Sequence, residues 1–163
     1  SQKQLSQLSY YDKLTSFYNR NRYIEDTKDL STAEVSVGIV YLDVNGLKDI
    51  NDQHGHAYGD EVLAECARRM KHAFPGANFY RIGGDEFCAV IRHARSEWVE
   101  ECLRRLEYLE RKYNEGKTDV PMRIAYGYAI FDEQYDKNME ETRNRADVKM
   151  YEKKRAIKAE ERK

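Results

Sequence analysis

Asp85 and Glu86 follow directly on Gly83 and Gly84, with strand-like residues on both sides: Phe79, Tyr80 and Ile82 before, Phe87 to Ile91 after. Adjacent glycines in that setting predict a β-hairpin whose turn lacks Cβ atoms, so another group can approach its backbone closely. Two carboxylates crowded at such a turn repel each other, a costly arrangement unless a cation or a substrate uses them. The plain alternative is a hairpin with acidic residues for solubility. A third carboxylate, Asp43, ends the run Val35 to Leu42, whose valines and isoleucine predict a buried strand. A carboxylate closing a core strand, beside a hairpin that offers two more, suits a hard divalent cation engaged in phosphoryl chemistry. Capping of the following helix is the structural alternative for Asp43.

The elements that must hold these acids fit one domain of 163 residues with a sizeable core. With 28 basic and 29 acidic residues the net charge is −1, so no overall field draws in nucleic acid or an anionic membrane, and any phosphate binding must be local. Cys66, Cys88 and Cys102 are odd in number and widely spaced, which argues against a disulfide framework or a zinc site. No apolar run approaches the roughly eighteen residues of a membrane span, and no signal-peptide pattern is present. The expectation is a cytoplasmic protein, or the cytoplasmic part of a membrane-bound or multidomain sensor, with no direct membrane contact from this segment.

Along the chain, Leu5 and Leu8 in a polar stretch suggest the end of a helix over residues 1–10. Helices are expected over 22–30, 44–53, 57–74, 96–113 and 139–159, and strands over 35–43, 78–82, 86–92 and 122–131. Val62, Leu63, Cys66, Ala67 and Met70 mark the buried face of the third helix. Ser96 is the expected N-cap of the fourth, and Ala146, Met150, Tyr151 and Ile157 punctuate the charged last one. Pro75-Gly76 ends the third helix before the hairpin, and Gly127 suits a bulge or close packing. Helices in pairs between strands, with one hairpin in the middle, give an α/β domain whose sheet is mostly antiparallel and flanked by helices.

Three motifs in order, Asp43-Val-Asn-Gly-Leu-Lys48-Asp-Ile-Asn51-Asp, Gly55-His56-Ala-Tyr-Gly59-Asp60 and Gly83-Gly-Asp-Glu-Phe87, resemble the GGDEF domain of bacterial diguanylate cyclases. Asp12-Lys-Leu14-Thr15-Ser-Phe17-Tyr-Asn19-Arg20 is similar to that family's opening motif, with Phe17 where leucine is usual. The resemblance implies a palm-like fold related to nucleotidyl cyclases and polymerases, with residues 11–163 as the catalytic domain and 1–10 as the end of a linker or stalk helix. It implies condensation of two GTP into cyclic di-GMP across a homodimer of two half-sites, under control of an upstream sensor. A catalytically weak GTP-binding module that signals to a partner domain is the alternative, and a cyclase of relaxed base choice is a third.

The resemblance also distributes roles. Asp43 and Glu86, with the Val44 carbonyl, are the expected ligands of Mg²⁺ or Mn²⁺, and Asp85 either joins a second metal site or orients a ribose 3′-hydroxyl. Asn51 and Asp60 match positions that read guanine, whose N1–H and N2 amino group are adjacent donors that a carboxylate accepts together. Backbone amides around Gly46 and Leu47, at a helix start, are expected to cradle the triphosphate beside Lys48, and Gly83 and Gly84 to admit the nucleotide. Lys154 and Lys158, one helical turn apart, match phosphate-binding positions. The family's A-K-x-x-G-R ending is here Lys153-Lys154-Arg155-Ala156-Ile157-Lys158, so lysine replaces arginine and loses the bidentate fork. An R-x-x-D product-inhibition motif is replaced by Phe74-Pro-Gly-Ala77, which implies no feedback through that surface.

Overall fold

A computed structural model describes residues 9–28, 30, 36–117 and 120–162. Its elements run β1 (Tyr18–Asn19), α1 (Arg20–Lys28), β2 (Gly38–Asn45), α2 (Leu47–His54), α3 (His56–Ala73), β3 (Asn78–Arg81), β4 (Glu86–Ile91), α4 (Ser96–Asn114), β5 (Arg123–Ile130) and α5 (Met139–Glu161). The five strands form one sheet in the order β1-β3-β4-β2-β5. Pairings of β3 with β4, β4 with β2 and β2 with β5 are antiparallel, and β1 lies parallel to β3. The expected mostly antiparallel sheet is thus a mixed one.

Every residue of β2 is buried because helices cover both faces of the sheet around it. Strand alternation sends Ile39 and Tyr41 to one face, where Ala146, Met150 and Ile157 of α5 pack on them, and Val40, Leu42 and Val44 to the other, against α3 and α4. Gly127 of β5, opposite Tyr41, sets how closely α5 approaches. A Cβ there would overlap the backbone of Met150 and Ala146 and lie 2.7 Å from the carbonyl carbon of Lys149. Close packing, not a bulge, is therefore the reason for this glycine.

Asn138 caps α5 by accepting from the Glu141 amide at 3.0 Å, and Glu141 in return accepts from the Lys137 amide at 2.7 Å. Asn19 caps α1 through the Arg22 amide, and Phe17 stacks on Phe79, so the opening motif anchors to the core as expected. Ser96 is instead the first helical residue of α4. The N-cap is Arg95, which makes no side-chain cap bond. Tyr151 faces solvent, not the core. All three cysteines are free and buried. The helix expected over 1–10 lies outside the described residues except for Ser9 and Tyr10. Of the strand expected from 35, Val35 falls there too; Ser36 and Val37 are described but not in the strand, and β2 starts only at Gly38.

Candidate functional site

The β2–β4 register pairs Asp43 with Glu86, so the two carboxylates leave the same face of the sheet at neighbouring positions. The Val44 amide donates to the Asp85 carbonyl at 2.9 Å and draws the acidic turn against the end of β2. Within the turn, the amides of Ile82 and Gly83 donate to the Glu86 carbonyl. Arg81 donates to the carbonyls of Gly83 and Gly84 and forms an ion pair with Asp12 at 3.1 Å. Neither Gly83 nor Gly84 has left-handed φ. A Cβ on Gly83 would meet atoms no closer than 3.8 Å, and one on Gly84 would meet none of the described atoms within 4 Å. The chain itself therefore has no conformational need for two glycines here.

Asp43 is 2 % exposed. Its Oδ2 accepts from Lys154 Nζ at 3.2 Å, while Oδ1 has no hydrogen-bond partner among the described residues. Burial, then the charge of Asp85, push this carboxyl up to about 6, and Lys154 offsets only part of that. Lys154 reaches Asp43 because it lies one turn beyond Met150, whose backbone rests on Gly127. Glu86 is held from the other side: Tyr41 Oη donates to its Oε2 at 3.0 Å. Burial, then the Glu86 charge, raise the Tyr41 hydroxyl, so it remains a donor. A cleft of about 680 Å³ lined by Tyr41, Gly83, Glu86 and Arg143 leaves Glu86 reachable from this flank.

No group of three metal-ligating side chains occurs among the described residues. Magnesium does not need one, since it is commonly held by one or two carboxylates, with water and phosphate oxygens completing its shell. A buried carboxylate oxygen with no partner, in an all-oxygen donor set, fits such an ion. The residues that fit are Asp43 and Glu86, with Asp85 next in the turn.

Gly46 has φ of 81°, a left-handed conformation that glycine allows, and it opens α2 without any side-chain cap. The first amides of α2, from Leu47 onward, are thus left without a capping side chain a few residues from Asp43. Lys48 is exposed beside them. Gly55, at φ 88°, turns α2 into α3 and brings the half-buried Asn51 against Gly59, the residue next to Asp60. Asp60 is exposed. Lys158 is exposed too and has no ion pair among the described residues, so only Lys154 of the two lysines is tied to the carboxylates.

Sequence reasoning gave no role to Tyr41 or Arg81, and none to Gly59 beyond its place in the second motif. Tyr41 had a legible signal, since it lies two residues before Asp43 and so shares its face on a strand. Arg81 and Gly59 act through contacts that only the folded chain reveals.

The family model described as diguanylate cyclase, GGDEF domain, matches residues 9–160. The chain is 28% identical over 147 residues to the diguanylate cyclase VdcA of Vibrio cholerae, a match that covers 87% of this chain and 43% of that protein. It is 31% identical over 135 residues to the cyclic di-GMP phosphodiesterase PdeB of Shewanella oneidensis, covering 78% of this chain and 16% of that protein. The chain thus spans less than half the length of these curated relatives. Among solved structures, diguanylate cyclase SiaD of Pseudomonas aeruginosa, crystallised with its activator SiaC, superposes with a TM-score of 0.78 at 26% identity, over 95% of this chain and 62% of that one. A match over 152 residues of sequence, together with this fold, places the chain in the GGDEF domain family of diguanylate cyclases.

Proposed function

We propose that this domain is a diguanylate cyclase that condenses two GTP into cyclic di-GMP and two pyrophosphates. The observation that carries this reading is the in-register pair Asp43 and Glu86, with one Asp43 oxygen buried and unpartnered. In each of two equivalent steps, the 3′-oxygen of one GTP forms a bond to the α-phosphorus of the other. The bond from that phosphorus to the bridging oxygen breaks, pyrophosphate leaves, and the hydroxyl proton passes to a nearby base or to solvent.

Asp43 and Glu86, with the Val44 carbonyl, hold Mg²⁺ or Mn²⁺ in this reading. When bound, the ion offsets triphosphate charge and makes the α-phosphorus more electrophilic. Lys154 releases Asp43 to turn toward phosphate, and Asp85 orients the attacking hydroxyl. The uncapped start of α2 at Gly46 and Leu47, with Lys48, receives the β- and γ-phosphates. Lys158 is placed to add a second lysine to that group. Gly83 and Gly84 let nucleotide lie against the turn, which accounts for glycines that the chain does not otherwise need. Asn51 and Asp60 accept the adjacent donors of guanine, a pattern adenine does not present.

One domain holds one GTP, so two copies must face each other, and encounter is the controlled step. Residues 11–163 form this catalytic unit, which works in the cytoplasm under the control of an upstream sensor or signalling domain. Incubation of the domain with GTP and Mg²⁺ over a range of protein concentrations tests the reading. Cyclic di-GMP is expected, with a rate that rises more steeply than linearly. GTP binding without product, even in enforced dimers, favours a regulatory GTP-binding module instead.

A further inference from the structure

Gly59 is buried in the first turn of α3. Its amide donates to the Gly55 carbonyl at 3.1 Å, and its φ is not left-handed, so the backbone here is ordinary helix. Glycine is the poorest helix former after proline, and helical geometry alone gives no reason for it. The three atoms nearest to a Cβ built at this position all belong to the Asn51 side chain. That Cβ would fall inside the van der Waals surface of Asn51 Oδ1 and lie 2.9 Å from Cγ. Asn51 makes no side-chain hydrogen bond among the described residues, so the bare surface of Gly59 is what seats its amide. Asp60 is the next residue along α3, and it is exposed.

We propose that Gly59 is a positioning residue that sets base selectivity: the missing methyl lets the Asn51 amide settle beside Asp60, so that the two read guanine together. This rests on the guanine reading of Asn51 and Asp60 given above. A methyl group at position 59 displaces the end of a flexible side chain and no backbone, so the fold tolerates it while the reader moves.

The test compares equilibrium binding of GTP and of ATP to the wild-type domain and to Gly59→Ala, Asn51→Ala and the double variant, with thermal melts of all four. Gly59→Ala is expected to weaken GTP binding roughly tenfold with ATP binding unchanged and no loss of melting temperature. In the Asn51→Ala background the same substitution should have no further effect on GTP binding, because its target is gone. The proposal is overturned if Gly59→Ala keeps wild-type affinity and selectivity, or if the two substitutions add. Loss of fold in both Gly59→Ala and the double variant would assign the glycine to helix packing and also overturn it. A wild-type domain that binds GTP but does not prefer it to ATP sinks the guanine assignment itself, before any variant is compared.

Discussion

Asp43 stands opposite Glu86 in the β2–β4 ladder, yet the two acids are served very differently. Glu86 accepts a hydrogen bond from Tyr41 and Asp43 one from Lys154, but the other Asp43 oxygen is buried with no partner among the described residues. In the connection between β5 and α5, Asp136 is buried with a full set of donors: Arg145, Thr142 and the Asp132 amide. The first aspartate keeps an oxygen that no described residue serves, and the second is satisfied by the chain.

Asp43→Asn should stabilise the metal-free domain while abolishing product formation. Its carboxyl titrates near 6 in the folded chain against 3.8 when free, so the folded state holds this proton more tightly than the unfolded state. The group therefore favours folding below about pH 4, and that support is lost as pH rises through 6. At pH 7.5 the substitution should raise the melting temperature by about 2–4 °C, and the gain should vanish near pH 4. Calorimetry at both pH values in chelated buffer checks it, and a lower melting point at pH 7.5 would be the contrary result.

Asp136→Asn should behave in the opposite sense. Arg145, with the Asp132 amide and Thr142, holds the Asp136 carboxyl below the usual range, so its stabilisation is present above pH 4 and is lost as pH falls. The loss at pH 7 should be about 2 kcal/mol. Urea unfolding at pH 7 and pH 3 reads the difference, which should shrink at the lower pH.

Tyr41→Phe removes the donor to Glu86 while leaving the ring in the core. The domain should fold as before and need roughly tenfold more Mg²⁺ for half-maximal cyclic di-GMP synthesis. An unchanged Mg²⁺ requirement would show that the Glu86 carboxylate does not depend on this hydroxyl.

Gly127→Ala places a methyl group against helix backbone, which cannot swing aside as a side chain does. It should cost about 3 kcal/mol, the upper end for added bulk in a packed core, and should move Lys154 away from Asp43. Denaturant unfolding measures the first effect. The second should appear as weaker nucleotide binding in whatever fraction remains folded.

The hairpin, the long helices and the convergence of Asp43 with Glu86 were legible in the sequence, because periodicity sets each element and a buried strand beside an acidic turn limits how they can meet. The strand at Tyr18–Asn19 was not, since two residues carry no alternation. Ser96 looked like a cap by type, but the chain enters α4 in an extended conformation at Arg95. Tyr151 fits the apolar spacing of α5 only loosely and ends on its outer side. The bonds from Tyr41 to Glu86 and from Arg81 to Asp12 join positions 45 and 69 residues apart, and only the register of the folded sheet brings such partners together.

Arg81 grips the bend at Gly83 and Gly84 with one guanidinium, and the same group holds Asp12 at the start of the domain. The leading segment and the acidic corner thus share one guanidinium, a tie that adds to the pairing of β1 with β3 and passes through no helix.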